Sequence, residues 1–328
     1  MNIYDIAKEA GVSIATVSRV LNNKGTVSAA TRARVEAVLK QNNYTPSAIA
    51  RGMVSKSMRT VAVLTVDIRV PHYARTAYTI EREFSRRGYE VILCNTGGDR
   101  AETLRYLQAV NRKQVDGIVL VGSVFDTICQ GAEMEKLLSG VPVVLANGKL
   151  DLPNTYSVTV DDKYGVSLAV EHLVARGRKN IYYIKDRDTD SAKAKRDGFL
   201  EAMRRNGLEF ADHVLEAGET LEDAIDAMQA LLAQGIVPDG IVCGEDLTAA
   251  GALKALLRAG LRVPGQVAVV GFNNSDYAHL CEPVLTSVDN KPEQVALLCV
   301  QLLESRIERS EAYSSVVLQP ELAQGETS

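Results

Sequence analysis

Residues 3–22 read IYDIAKEAGVSIATVSRVLN. Ile3, Ile6, Ala7 and Ala10 recur at helical spacing, and Val17, Val20 and Leu21 do the same, so two short helices each carry one apolar stripe. Ala7 is small where the helices must approach, Gly11 falls where the chain reverses, Val12 fills the corner, and Ser13 is placed to cap the second helix. This is the pattern of a helix-turn-helix, whose second helix is the one that enters a DNA major groove. An ordinary αα-hairpin has the same apolar pattern, and charge is what separates the two readings. Residues 1–59 carry nine Lys/Arg against Asp5, Glu9 and Glu36, a balance of +6, whereas the rest carries 28 against 38, a balance of −10. A small basic head on an acidic body suits phosphate neutralisation, which a metabolic enzyme has no need of.

A third helix follows, with Ser28 as its cap and Val35, Val38 and Leu39 as its stripe, closing a three-helix head. Tyr44-Thr45-Pro46-Ser47 ends that unit, and SAIARGMVSK (47–56) is helix-capable but too short to be stable alone. From Thr60 the pattern changes. TVAVLTV (60–66), YEVILCN (89–95), DGIVLVG (116–122) and PVVLAN (142–147) alternate with helical periods. YSVTVDD (156–162), NIYYIKD (180–186), HVLEAG (213–218), DGIVCG (239–244) and VAVVGFN (267–273) form a second series. Continuous apolar strands between helices mean parallel sheets covered on both faces, and two series mean two doubly wound lobes. The repeated DGIV at 116–119 and 239–242 fits related lobes. Ligands bind such sheets at the strands' carboxyl ends, so two facing lobes make a cleft lined by strand-end residues.

With 328 residues and 46% hydrophobic composition, the chain can bury a large core in two or three units. It has no charged-then-apolar leader and no run approaching 18 apolar residues, so the expectation is a cytoplasmic protein with no membrane partner. The cysteines (Cys94, Cys129, Cys243, Cys281, Cys299) form no CxxC pair and the histidines (His72, His172, His213, His279) fall at no metal spacing. Reduced thiols, no metal and no cofactor are expected. No GxGxxG or Walker loop and no nucleophile–histidine set is present, which counts against an enzyme built on Rossmann-like lobes. A free-standing solute-binding protein is the second rival, and the basic head counts against it.

The order of YDIAKEAGVS and TVSRVLN, then VSAATRARVEAVLKQNNYTPSAIAR (27–51), then LTSV (285–288) after VVGF resembles the lactose/galactose-repressor (LacI/GalR) family of bacterial transcription regulators over essentially the whole chain. The resemblance implies an α/β protein: a helix-turn-helix headpiece (1–46), a hinge helix (47–59), and a two-lobed core (60–328) similar to periplasmic binding proteins. Crossings near residues 159, 288 and 312 would divide the core into one lobe of about 60–159 and 289–312 and another of about 160–288 and 313–328. The implied function is a transcriptional regulator, a repressor, that binds a pseudo-palindromic operator as a homodimer under control of a small effector. No heptad tail of the kind that makes tetramers follows SVVLQPEL, which favours the dimer.

By the same resemblance the recognition helix runs from Ile14 to Leu21, with Ile14 and Ala15 at operator-dependent positions and Arg19 matching the family arginine. An arginine can fork onto guanine, and small apolar residues can sense a thymine methyl. Ser13, Thr16, Ser18 and Asn22 are phosphate contacts, or caps alone. In the hinge, Ala50 and Met53 face the minor groove, Met53 standing where relatives carry a wedging leucine, while Gly52 costs the helix about 1 kcal/mol; the alternative for Met53 is packing against the core. In the cleft, Asn147, Lys195, Glu245 and Asn273 stand where relatives have aspartate, arginine, asparagine and aspartate. His72 and Tyr73 replace two aromatics, and Tyr73 and Phe125 are the candidate stacking faces. The effector expected is a sugar or sugar derivative. Lys193, Lys195 and Arg196 together raise an anionic one, with Glu245 opposing it unless it pairs with Lys195; a solvated helix start is the other reading of those cations.

Overall fold

The computed structural model describes residues 2–21, 26–42, 57–309 and 315–328, which fall into two compact units, 1–59 and 60–328. Asn22, Ala50, Met53 and the rest of the expected hinge helix up to residue 56 lie outside the described residues.

The first unit contains α1 (Ile3–Glu9), α2 (Ile14–Leu21) and α3 (Ala29–Gln41). Ile6, Ala7, Ala10, Val17, Val20, Val35 and Val38 pack into one buried cluster, so the stripes meet as their spacing requires. Gly11 takes φ +64°, a conformation that favours glycine, and turns the chain between α1 and α2. Ser13 Oγ accepts from the Thr16 N–H at 3.2 Å and Ser28 Oγ accepts from the Thr31 N–H at 3.2 Å, so both caps form. Asn2 and Asp5 add a reciprocal capping box to α1. Asn42 donates to Glu9 and to the Val38 carbonyl, tying the end of α3 to α1.

The second unit holds two six-stranded sheets among the described residues. One has β1 (Thr60–Thr65), β2 (Glu90–Asn95), β3 (Gly117–Val121), β4 (Val143–Ala146), β5 (Thr155–Val160) and β11 (Val316–Leu318) in the order β11-β5-β4-β3-β1-β2, all parallel. The other has β6 (Ile181–Lys185), β7 (Val214–Glu216), β8 (Gly240–Cys243), β9 (Ala268–Phe272), β10 (Thr286–Asp289) and β12 (Glu321–Ala323) in the order β12-β10-β9-β8-β6-β7, parallel except for β12 against β10. Every residue of β1, β3, β4, β6, β8 and β9 is buried, as continuous apolar runs require between two helical layers. The helices are α4 (Pro71–Arg86), α5 (Arg100–Arg112), α6 (Phe125–Ile128), α7 (Ala132–Leu138), α8 (Asp162–Ala175), α9 (Asp190–Arg205), α10 (Leu221–Ala233), α11 (Asp246–Arg258), α12 (Asp276–Leu280) and α13 (Pro292–Arg309).

The third crossing corrects the expectation. SVVLQPEL is two strands, not one: β11 stays in the first sheet and β12 joins the second, so the chain changes lobe at Gln319-Pro320 rather than near 312. Proline has no N–H to continue a ladder, which makes it a suitable break. The other two changes of sheet, after Val160 and after Asp289, lie close to where they were expected. The DGIV repeat has one job in both lobes. Asp116 accepts from the Thr60 N–H at 2.9 Å and Asp239 from the Asn180 N–H at 2.9 Å, each carboxylate holding the start of the neighbouring strand. All five cysteines are unpaired; Cys281 is half-buried and the others buried.

Where α8 and α9 cross, a Cβ on Gly198 would collide with the Lys163 carbonyl and backbone. Gly198→Ala should therefore destabilise the core by about 1–3 kcal/mol, whereas Gly140→Ala, with open space around it, should change stability by less than about 0.5 kcal/mol. Denaturant midpoints of the two variants check this; equal midpoints would contradict it.

Candidate functional site

In the head, Ser13, Ile14, Ala15 and Arg19 are exposed, with Ile14 at 40%, while Val17 and Val20 are buried. Thr16 and Ser18 are half-buried, and Ser13 Oγ lies 2.9 Å from Thr16 Oγ1. One side of α2 is thus spent on the core and the other presents a bulky aliphatic group, a small one and a guanidinium. That is the side-chain mixture for reading base edges and phosphates.

In the core, the ends of β3, β4, β6, β8, β9 and β10 and the starts of α4, α8 and α9 converge on a small cavity of about 50 Å³. At about 10–15 Å³ for each water, that is room for about three to five waters. Six of the seven expected effector residues line it: His72, Tyr73, Asn147, Lys195, Glu245 and Asn273. Phe125 does not. It is fully buried in the first lobe's core, because α6 turns that side chain inward against the sheet, so Tyr73 is the aromatic face and His72 packs beside it with ring centroids 3.9 Å apart.

Charge partners also differ from expectation. Lys195 does not pair with Glu245; its Nζ donates to the Gly244 carbonyl at 2.9 Å and lies 3.9 Å from the centre of the Phe272 ring. Lys193 and Arg196 are solvated and pair locally with Asp190 and Asp197, so the cationic cluster reduces to one cleft lysine. Glu245 instead faces Arg187, 3.7 Å from its Nε, and His72, 3.8 Å from its Nδ1. Arg187 was missed in the sequence. It is the second residue after β6, at the end of a strand where side chains reach a cleft, and it also contacts Asp186 at 3.2 Å and Glu219 at 3.3 Å.

Asp162, Asp186, Ser123, Thr189, Ser191 and Asn290 complete the polar lining. Ser191 donates to Asp162 at 2.6 Å, and Asn290 Nδ2 donates to Asn273 Oδ1 at 2.6 Å. Asn147 and Asn273 hold φ of +57° and +99° at the ends of β4 and β9, which aspect asparagine tolerates better than most residues. Among the described residues, Asn147 Oδ1 and Asn290 Oδ1 are buried with no hydrogen-bond partner.

Burial raises the Asp186 carboxyl, with Glu245 adding to it and Lys195 and Arg187 opposing; burial likewise raises Asp162 against Lys195. Burial works against the charge of Arg187, but Glu245, Tyr73, Asp186 and Glu219 outweigh it and raise its pKa. His72 is pushed down to about 3 by burial and by Lys195 and Arg187, so it is neutral at pH 7, and burial pushes the Tyr73 hydroxyl up to about 12. Among the described residues, no group of three His, Cys, Asp or Glu could hold a metal, and no helix is long and apolar enough to cross a membrane.

A basic helix-turn-helix head and a two-lobed core with a cleft at its strand ends define a DNA-binding transcription regulator with a ligand-binding domain. Residues 2–47 match the model for bacterial regulatory proteins of the lacI family, and residues 170–328 match a periplasmic binding protein-like domain. The chain belongs to the lacI family of bacterial regulatory proteins. An HTH-type transcriptional regulator of Lachnoclostridium phytofermentans is 35% identical over 306 residues, 92% of each chain. Catabolite control protein A of Priestia megaterium is 34% identical over 325 residues, 98% of this chain and 96% of that one. A transcriptional regulator CelR–cellobiose complex is 28% identical, with TM-score 0.74 and full coverage of both chains. The Lac repressor dimer bound to operator and the anti-inducer ONPF, 24% identical, shares the fold at TM-score 0.87 over 100% of this chain and 98% of that one.

On the rim, Asp126 accepts from the Lys149 N–H at 2.7 Å and is pushed up to about 7, by burial first, against that hydrogen bond and with Asp190 adding to it. Its folded pKa lies above its ordinary 3.8, so between those values the folded chain holds a proton that the unfolded chain releases. The stabilising contribution is full below pH 3.8 and is lost as pH rises through about 7. Asp126→Asn, which can still accept from Lys149, should gain stability relative to the parent as pH rises from about 4 to about 8. Denaturant unfolding across that range checks it, and a pH-independent difference would contradict it.

Proposed function

We propose that this protein is a repressor that binds a pseudo-palindromic operator as a homodimer, and that a neutral polyhydroxy ligand in the inter-lobe cleft controls that binding. One head reads one half-site, so two-fold assembly follows from the need for affinity. The related Lac repressor was solved as a dimer on operator, which supports the same arrangement for this chain. Ser13, Thr16 and Ser18, with Asn22, Ala50 and Met53 outside the described residues, are assigned to backbone and minor-groove contacts, and Ile14, Ala15 and Arg19 to base edges.

The observation that carries the ligand class is the state of the cleft's charges. Arg187 is surrounded by Asp186, Glu219 and Glu245, and Lys195 is held by a carbonyl and a ring, with Asp162 adding negative charge. An anionic effector would meet more acids than free cations. The unpartnered oxygens of Asn147 and Asn290 are acceptors suited to hydroxyl donors, and Tyr73 offers an apolar face to a sugar ring. Cellobiose is the ligand of the related CelR complex, which fits a carbohydrate here.

Arg19→Ala should weaken operator binding by about 1–3 kcal/mol and relax preference at one base pair. An unchanged ratio of operator to random-DNA affinity would remove the base-reading role. In a thermal-shift panel, neutral mono- and disaccharides should include a ligand that raises Tm by mass action, while the matching uronic acids should not. A uronic acid that outperforms its neutral parent would overturn the ligand class.

A further inference from the structure

The cavity of about 50 Å³ adjoins two larger grooves, and the walls it shares with them differ in what they offer a ligand. Toward an outer groove of about 510 Å³ the shared residues are His72 and Asn273. Both are engaged: Asn273 Oδ1 accepts from Asn290 at 2.6 Å, and the His72 ring lies 3.8 Å from Glu245. On the other side is a rim groove of about 290 Å³, and there the shared residues are Ser123 and Asn147 of the first lobe with Asp162 and Ser191 of the second. Among the described residues the buried Asn147 Oδ1 has no partner, so this mouth keeps an acceptor for a ligand hydroxyl. The cavity alone falls short of the roughly 300–1,000 Å³ of ordinary ligand pockets, and with the rim groove it reaches that range. We propose that the rim groove is a second sugar subsite, so that the effector is a neutral disaccharide or longer glycoside with one end in the cavity and the next ring in the groove. This deepens the reading of the cleft as a carbohydrate site and rests on it.

The groove has the two surfaces that a sugar ring uses. Val160 at the end of β5, Val317 in β11 and Ala194 in α9 give it an apolar side, and Val317 is 60% exposed. The C–H face of a pyranose can cover that patch and take it out of water. Asp126, Asp161 and Asp190 supply acceptors around it. Asp126 Oδ1 accepts from the Lys149 N–H at 2.7 Å, and Asp161 Oδ1 accepts from the Tyr164 N–H at 2.9 Å as the cap of α8. A carboxylate accepts on both oxygens, so each keeps capacity for a hydroxyl donor. The acids do not make the groove a cation trap. Lys149 and Lys163 line it as well, Asp190 already holds Lys193 at 3.4 Å, and Asp162 is tied to Ser191 at 2.6 Å. Asp126 and Val317 come from the first lobe, and Asp190 and Ala194 from the second, so a ring seated here touches both lobes as the end in the cavity does.

The test is calorimetry on the full-length protein with glucose, galactose, mannose and xylose, and with cellobiose, maltose, lactose, mannobiose and xylobiose. Two net hydrogen bonds from the second ring suffice for about a tenfold gain, so at least one disaccharide should bind about tenfold tighter than either of its constituent monosaccharides. Ala194→Leu, which takes up the groove, and Val317→Ser, which removes part of its apolar side, should each pull that ratio toward one. Disaccharides that bind no tighter than their monosaccharides, or an unchanged ratio in either folded variant, would overturn the second subsite and leave the carbohydrate reading standing. No binding by any of these neutral sugars would overturn the ligand class itself, and the subsite with it.

Discussion

A guanidinium withdrawn from water has to be matched by negative charge, and in this core that requirement falls on Arg187. Its match comes from Asp186, Glu219 and Glu245, which are supplied by the ends of three different strands of the second lobe. Those acids are then unavailable to others. Lys195 turns to a backbone carbonyl and an aromatic face, and His72 stays neutral between the lobes. The polarity of the cleft follows from how this half-buried cation is matched, and so does the expectation that its ligand carries hydroxyls rather than charge.

The fold was legible because it rests on local periodicity. Apolar runs without alternation give strands buried on both faces, and the stripes of α1, α2 and α3 give a head with one small core. The third lobe crossing was not legible. SVVLQPEL has the composition of one strand, and only the pairing of Val316–Leu318 with the first sheet and Glu321–Ala323 with the second divides it at Pro320. Phe125 was misplaced for a related reason. Loop position after a strand does not say which way a short helix turns its first side chain, and α6 turns Phe125 into the core.

The site was legible as a set of strand-end positions and illegible as a set of partners. Position after a strand points to Asn147, Glu245 and Asn273, which line the cavity, and the same rule applied to Asp186 and Arg187 would have pointed to them as well. Partnership is set by three-dimensional distance: Lys195 and Glu245 line the same cavity, yet Glu245 lies against Arg187 and His72, which are far from each other in sequence. The head and the core are separately folded units of one chain, so the proposed regulation is a coupling free energy between a DNA surface and a cleft.

Reciprocity is the most direct check of that coupling. Once the sugar panel yields a ligand, its affinity for the full-length protein is measured by calorimetry with and without saturating operator, and operator affinity is measured with and without saturating ligand. Linkage predicts that the two ratios are the same factor and differ from one, typically about 5–150-fold. Ligand affinity that is unchanged by operator would contradict the account, since the cleft would then hold a ligand without informing the head.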